Sequence, residues 1–232
     1  MAVTNPLVWF KFDEASGDAV DSVAGLTGVS TSVTYTGGKI NNAAVYNGSA
    51  FHTVSDNAAL KPTNAISFGG WVFVSATSSF QMMFAKGENA GDTRSYEMRC
   101  NGTTTKPEIQ MRVGGGSFVQ ARGNTNLGTS VWKHVIYTRT GTTHVIYVDG
   151  AAQTLEASVT NAADIDYSTD ALWFGQRNGA LRFNGRLDEW GIWNVALSSA
   201  EVTELYNGGA GISYPFPAGT PVRNLMTMGV GL

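Results

Sequence analysis

The sequence predicts an all-β fold with one short C-terminal helix, on three observations. Apolar and polar residues alternate with a period of two along most of the chain, and each run is bounded by Gly, Asn, Asp or Ser. That is the pattern of half-buried strands joined by tight turns. Glycine supplies 28 of 232 residues, close to twice its usual share of about 7 %, and charged residues are 14 % against roughly 25 % in an average soluble domain. Helical periodicity is confined to one segment near the end. With 43 % hydrophobic residues the chain can fill a sizeable core, and sandwiches of about 200–250 residues commonly form one domain. The expected organisation is a domain over residues 1–214 and a Pro/Gly-containing apolar tail over 215–232.

Taken in order, residues 7–12 open the chain as a strand, and the polar, glycine-punctuated segment 13–28 follows. Alternation then marks strands over 43–46, 51–54, 66–74 and 82–86. Residues 109–113 and 118–121 flank Gly114-Gly115-Gly116, a hairpin turn and not a phosphate loop, since no helix or Lys-Ser/Thr follows. Residues 132–140 and 142–149 form a hairpin about Thr140-Gly141. Asp149-Gly150 turns the chain into 153–159, and 171–175 and 180–193 complete the series. The helix spans 198–206: Ser198-Ser199-Ala200-Glu201 is a capping box, Val202, Leu205 and Tyr206 share a face, and Asn207-Gly208-Gly209 terminates it. Trp9, Trp71, Trp132 and Trp193 lie within strand patterns and read as core.

Several function classes are excluded by composition. The net charge of −3 comes from 18 acidic and 15 basic residues scattered without runs, so nucleic acid and anionic lipid are not expected partners. A single cysteine, Cys100, excludes an intramolecular disulfide and offers no zinc spacing. No segment approaches the ~18 apolar residues of a membrane span, and residues 1–6 carry no basic, apolar leader. The expectation is synthesis in the cytoplasm without a recognisable signal peptide and no membrane insertion. His52, His134 and His144 show neither metal spacing nor a Ser/His/acid order.

Six ordered pieces carry a resemblance to a known family. They are Val8-Trp9-Phe10-Lys11-Phe12-Asp13-Glu14 with Ser16-Gly17; Gly38 to Ala43 through Tyr46-Asn47-Gly48; Ile66-Ser67-Phe68-Gly69-Gly70-Trp71-Val72; Trp132-Lys133-His134-Val135; Ile146-Tyr147-Val148-Asp149-Gly150; and Asn184-Gly185-Arg186-Leu187-Asp188-Glu189. The last runs through Ile192-Trp193-Asn194 into the helix. Over about residues 5–210 the chain resembles the laminin-G-like, concanavalin A-like jelly-roll family of bacterial, viral and animal surface proteins. The resemblance implies two antiparallel sheets packed as a jelly-roll sandwich, an arrangement that hides both apolar faces in one core.

The resemblance also implies candidate sites. Many relatives hold a calcium ion, and the matching positions are Asp13, Glu14, the backbone around Gly17, and Asp188. Here Val23 and Ala24 replace polar residues of the family's loop. In the alternative reading Asp188 and Glu189 satisfy loop amides or pair with Arg186. Asp164-Ile165-Asp166 with Asp170 reads as a solvated loop, because an EF-hand would need Gly and Glu where Thr169 and Gly175 stand. Glucanases of this fold use a close Glu-x-Asp-x-Glu pattern, absent here: the eight glutamates are isolated in sequence except Glu201/Glu204. No catalytic residue is expected.

Ligands of relatives use the concave sheet or the rim loops. Polar residues on or next to strands that could share such a face are Tyr96, Arg99, Gln110, Arg112, Gln176, Arg177, Asn178 and Arg182, with the ordinary solvated side of a sheet as the alternative. Alternation places Glu97 with Arg99, and Gln110 with Arg112, on common sides. The expected function is a non-catalytic, lectin-like adhesion module for a cell-surface glycan or protein, at a virion or extracellular surface. The alternative is a structural decoration protein gripping capsid or fibre neighbours, and a glycan-degrading enzyme is the least favoured. The apolar end of the tail, Leu225 to Leu232, is expected to be covered by its own domain or by a second copy in a homo-oligomer.

Overall fold

The computed structural model describes residues 2–77, 80–87 and 94–217. Its strands, in chain order, are β1 (Val8–Phe10), β2 (Ala19–Val20), β3 (Thr27–Thr31), β4 (Thr34–Gly37), β5 (Asn42–Asn47), β6 (Phe51–Val54), β7 (Ile66–Val74), β8 (Gln81–Lys86) and β9 (Tyr96–Asn101). There follow β10 (Lys106–Val113), β11 (Ser117–Gly123), β12 (Trp132–Thr140), β13 (Thr143–Val148), β14 (Ala151–Ala152), β15 (Leu155–Val159), β16 (Leu172–Phe174) and β17 (Asn184–Trp193). One α-helix among the described residues, α1 (Ser199–Tyr206), follows β17.

Two antiparallel sheets result. The eight-stranded sheet runs β14-β13-β12-β7-β17-β5-β4 with β1 also against β17, and the nine-stranded sheet runs β15-β11-β10-β9-β8-β16-β6-β3-β2. Neighbours such as β7 and β17, or β16 between β8 and β6, are distant in sequence, which is the crossing connectivity of a jelly roll. The inward residues of both sheets meet in one core containing Phe10, Phe12, Phe68, Phe84, Phe174 and Trp190. His52 is buried there, with the Tyr46 and Tyr35 hydroxyls 2.9 and 3.1 Å from its two ring nitrogens.

A second apolar cluster covers the outer face of the eight-stranded sheet, where Val202 and Leu205 of α1 pack on Trp9, Ile136, Trp193 and Leu197. The helix forms where the capping box requires it: Ser198 Oγ accepts the Glu201 N–H at 3.3 Å and Glu201 Oε2 accepts the Ser198 N–H at 2.8 Å. It ends at Asn207, whose φ of 47° is left-handed. Glu201 also accepts from the Thr4 N–H at 3.0 Å, tying the first residues to the helix.

Two expectations change at this face. Trp9, Trp71 and Trp193 are buried, Trp71 against His134 and Tyr206 at 5.0 and 5.8 Å, but Trp132 is half-buried on the outer surface, 5.5 Å from Phe73. It lies outside the core because Trp132 shares its face with His134 and Ile136, not with Val135 and Tyr137. Packing also continues beyond Tyr214, since Phe216 meets Trp9 edge-on at 5.1 Å. The apolar tail expected over 225–232 lies outside the described residues.

Candidate functional site

Register decides which side chains share the outer face of the nine-stranded sheet. Residues paired across antiparallel strands point the same way, so one row runs Trp173, Ala85, Glu97, Gln110, Gln120, Val159. The next runs Met82, Arg99, Glu108, Arg122, Ala157, and Arg112 pairs with Phe118 in a third. The opposite alternation sends Tyr96, Met98, Cys100, Ile109 and Met111 into the core.

The face is built around two buried carboxylates. Glu108 and Glu97 are each 1 % exposed, although they stand on the solvent side, because arginine side chains lie over them. Glu108 accepts from Arg99 at 2.5 Å, Arg122 at 2.6 Å and Asn101 at 2.6 Å. Glu97 accepts from Arg177 at 2.8 Å and Arg99 at 3.3 Å. Burial raises the Glu108 carboxyl, but the hydrogen bonds and charges of Arg99 and Arg122 outweigh it and hold the group below its ordinary range. A glutamate so held is ionised at neutral pH and is not poised to donate a proton to a leaving sugar.

Beside this network lies a shallow cleft of about 260 Å³, lined by Arg94, Gln110, Phe118, Val119, Gln120 and Val159. Arg94 donates to Gln110 Oε1 at 2.9 Å and lies 4.8 Å from the centre of the Phe118 ring. Phe118 is 37 % exposed and Val159 49 %, so an apolar edge borders two amides. Phe80, also 37 % exposed, sits over the Arg99 guanidinium at 4.6 Å.

The structure brings together only part of the predicted ligand set. Arg99, Gln110 and Arg112 share the outer face, Arg112 lying 3.7 Å from Asp166, and Arg177 joins through Glu97. Tyr96 does not: it is fully buried and donates to the Leu60 carbonyl at 2.8 Å, because it alternates with Glu97 and Arg99. Gln176 is buried and accepts the Gly179 N–H at 3.2 Å, and Asn178, at φ 36°, sits in the turn that Arg177 and Ala180 close. Both shape the turn at the rim. Arg182 donates to the Ser49 carbonyl at 2.9 Å and lies against Phe51, apart from the glutamate network. Glu108, Phe118, Gln120 and Arg122 join the site beyond the residues expected from the sequence, and the alternation of Phe118, Gln120 and Arg122 is the signal that marks them.

In the 164–170 loop, expected to be solvated, Asp166 is half-buried and accepts the N–H groups of Gly115 and Gly116 at 2.9 and 3.1 Å, which fixes the triple-glycine turn between β10 and β11.

Two of the carboxylates expected to hold calcium, Asp13 and Asp188, meet at the same turn over residues 38–42. Asp188 Oδ2 accepts the Lys39 and Ile40 N–H groups at 2.7 and 2.9 Å, and Asp13 Oδ1 accepts that of Asn42 at 3.0 Å. Glu14 accepts the Val20 N–H at 2.9 Å, and the Gly17 carbonyl accepts the Tyr35 hydroxyl at 3.0 Å. Asp188 Oδ1 and Glu14 Oε2 are buried without a hydrogen-bond partner, yet among the described residues no group of three or more His, Cys, Asp or Glu side chains is placed to hold a metal. Calcium takes about six to eight oxygens, so these carboxylates alone do not make up its shell. Burial raises Asp188 to about 8 and Glu189 to about 7. Asp188 satisfies loop amides, as the alternative reading held, while Arg186 donates to the Gly37 carbonyl and stacks on Phe73 at 3.8 Å.

The fold is shared with solved domains of other proteins. Domain 4 of AbnA, a GH43 extracellular arabinanase from Geobacillus stearothermophilus solved in complex with arabinotriose, superposes with a TM-score of 0.68 at 21 % identity, over 87 % of this chain and 98 % of that one. The binding domain of Paraclostridial Mosquitocidal Protein 1 gives 0.69 at 14 % identity, over 88 % of this chain and 52 % of that one. The botulinum neurotoxin serotype G binding domain gives 0.66 at 14 %, over 87 % and 50 %. The chain thus spans about half the length of the two toxin domains. A search of curated proteins finds no match. The family model of the concanavalin A-like lectin/glucanases superfamily matches residues 47–203, and with the two-sheet jelly roll described above the chain belongs to that superfamily.

Proposed function

We propose that the protein is a non-catalytic carbohydrate-binding module that holds a glycan on the outer face of the nine-stranded sheet. The observation that carries the reading is the cleft in which the Phe118 edge borders the Gln110 and Gln120 amides. Sugars are bound by an aromatic or apolar surface against their C–H face and by fixed polar groups against their hydroxyls. Strands β10 and β11 supply both at fixed positions. The non-catalytic part is supported by Glu97 and Glu108, carboxylates on the same sheet face among the described residues, which are both locked in arginine pairs. The fold's use in a domain solved with arabinotriose agrees with a saccharide partner.

The test is a broad glycan array probed with the protein and with a Gln110→Ala/Gln120→Ala variant, beside an assay for newly released reducing ends. The reading expects saturable glycan binding that the variant loses, without release of reducing ends. A blank array with working controls, or hydrolysis of a bound glycan, overturns it.

A further inference from the structure

Within the central network on the outer face of the nine-stranded sheet, guanidiniums outnumber carboxylates among the described residues. Among the described residues the central network joins three guanidiniums, Arg99, Arg122 and Arg177, to two carboxylates, Glu97 and Glu108. The neighbouring Arg112 is balanced by Asp166. This surplus stands on a chain whose overall charge is −3, so it is local to the face and not a reflection of composition. Two donors are uncommitted. Arg122 uses its Nε on Glu108 at 2.6 Å and its side chain is 29 % exposed, leaving its terminal nitrogens to solvent. Arg177 uses Nη1 on Glu97, and its Nε is buried with no partner.

We infer that the ligand is an acidic saccharide whose carboxylate is taken by Arg122, with the sugar ring in the adjoining cleft. This rests on the glycan-binding reading and narrows it. Gln120 and Arg122 stand two residues apart on one face of β11, and their pairing partners Gln110 and Glu108 stand likewise on β10. Side chains at such spacing are about 7 Å apart along a strand, a span that one pyranose bridges from a hydroxyl on one side of the ring to a carboxylate on the other. Glu108 holds the Arg122 guanidinium by one edge and keeps it in place, and the fork geometry of arginine suits a carboxylate. The cleft, at about 260 Å³, is smaller than the ~300–1,000 Å³ of drug-sized sites. It holds one ring, with the remainder of a chain running over the sheet.

The experiment uses matched probes in calorimetric titrations: oligogalacturonate against its neutral methyl ester, and sialyllactose against lactose. For at least one pair the acid binds about tenfold or more tightly than its neutral counterpart, as loss of a charge-assisted hydrogen bond requires. That preference weakens as salt is raised. Arg122→Gln removes the preference, Arg122 being the least buried of the three arginines in the network, whereas Arg186→Gln on the opposite sheet leaves it unchanged. Equal binding of acid and ester, lost in Gln110→Ala/Gln120→Ala, overturns the acidic inference and leaves the glycan-binding reading standing. Binding of neutral array glycans with none of the acids does the same. A blank result on these probes and on the whole array overturns both.

Discussion

Protonation of His134 gives a sharp test of the packing under α1. The ring is 3 % exposed, between Trp71 at 5.0 Å and Tyr206 at 6.1 Å, and its Nδ1 has no hydrogen-bond partner. Burial lowers its pKa from 6.5 to about 3, and the Asp149 carboxylate only partly opposes this. The folded state therefore favours neutral imidazole, while the unfolded chain takes up a proton as pH falls below about 6.5. The contribution is fully present above that pH and is lost as pH falls toward the folded value. Each pH unit in this window costs about 1.4 kcal/mol, so some 2 kcal/mol is lost between pH 6.5 and pH 5. His134→Phe keeps the ring and removes the proton site. Urea unfolding of both proteins at pH 7.5 and pH 5 isolates this residue, because every other titrating group cancels in the difference. The variant should gain about 2 kcal/mol relative to the parent on going to pH 5. A difference that does not change with pH would show that His134 titrates alike in the folded and unfolded states, and the account of its burial would fail.

Three further outcomes follow from the geometry. Glu201→Ala removes the capping box and both hydrogen bonds to Thr4, and thermal unfolding should show a loss of about 1–2 kcal/mol; no loss would mean that α1 is held by packing alone. Glu108→Gln leaves Arg99 and Arg122 against an uncharged amide inside the sheet face, and should cost about 3 kcal/mol in chemical denaturation, whereas a neutral result would mark the network as dispensable. Adding calcium or a chelator should leave the melting temperature unmoved, since Asp188 Oδ2 and Asp13 Oδ1 are spent on backbone amides and no group of three ligating side chains is gathered among the described residues. A rise with calcium, by mass action on the folded state, would return those carboxylates to a metal site.

The sandwich was legible because its long strands are regular. The strands β6, β7 and β12 agree at both ends with the alternation in the sequence, since each buries all or most of one side-chain row. The segment 13–28 hid β2 and the start of β3, and β4 also went unread. These strands are short and mostly exposed, so partner strands hold them and no apolar alternation announces them. The helix was plain from Ser198 and Glu201, a local device that needs no tertiary context. The site was half legible. Alternation joined Glu97 to Arg99 and Gln110 to Arg112, and the same rule, carried one residue further, puts Tyr96 inside. What sequence could not supply was the pairing of β9, β10 and β11, which brings Glu97 and Glu108, eleven positions apart, under one guanidinium. Asp188 illustrates the converse. A family resemblance placed it at a metal, and only the loop carrying Lys39 and Ile40 shows its oxygen occupied by amides.

The central claim is that β10 and β11 present a glycan surface, and an amide-resolved NMR titration with the best glycan from the array tests it most directly. The account predicts saturable shifts at Gln110 and across Phe118 to Arg122, with the helix-covered face around Trp71 and Val202 silent. Shifts confined to that opposite face or to the rim turn 176–182, with the β10 and β11 signals unmoved, would contradict it.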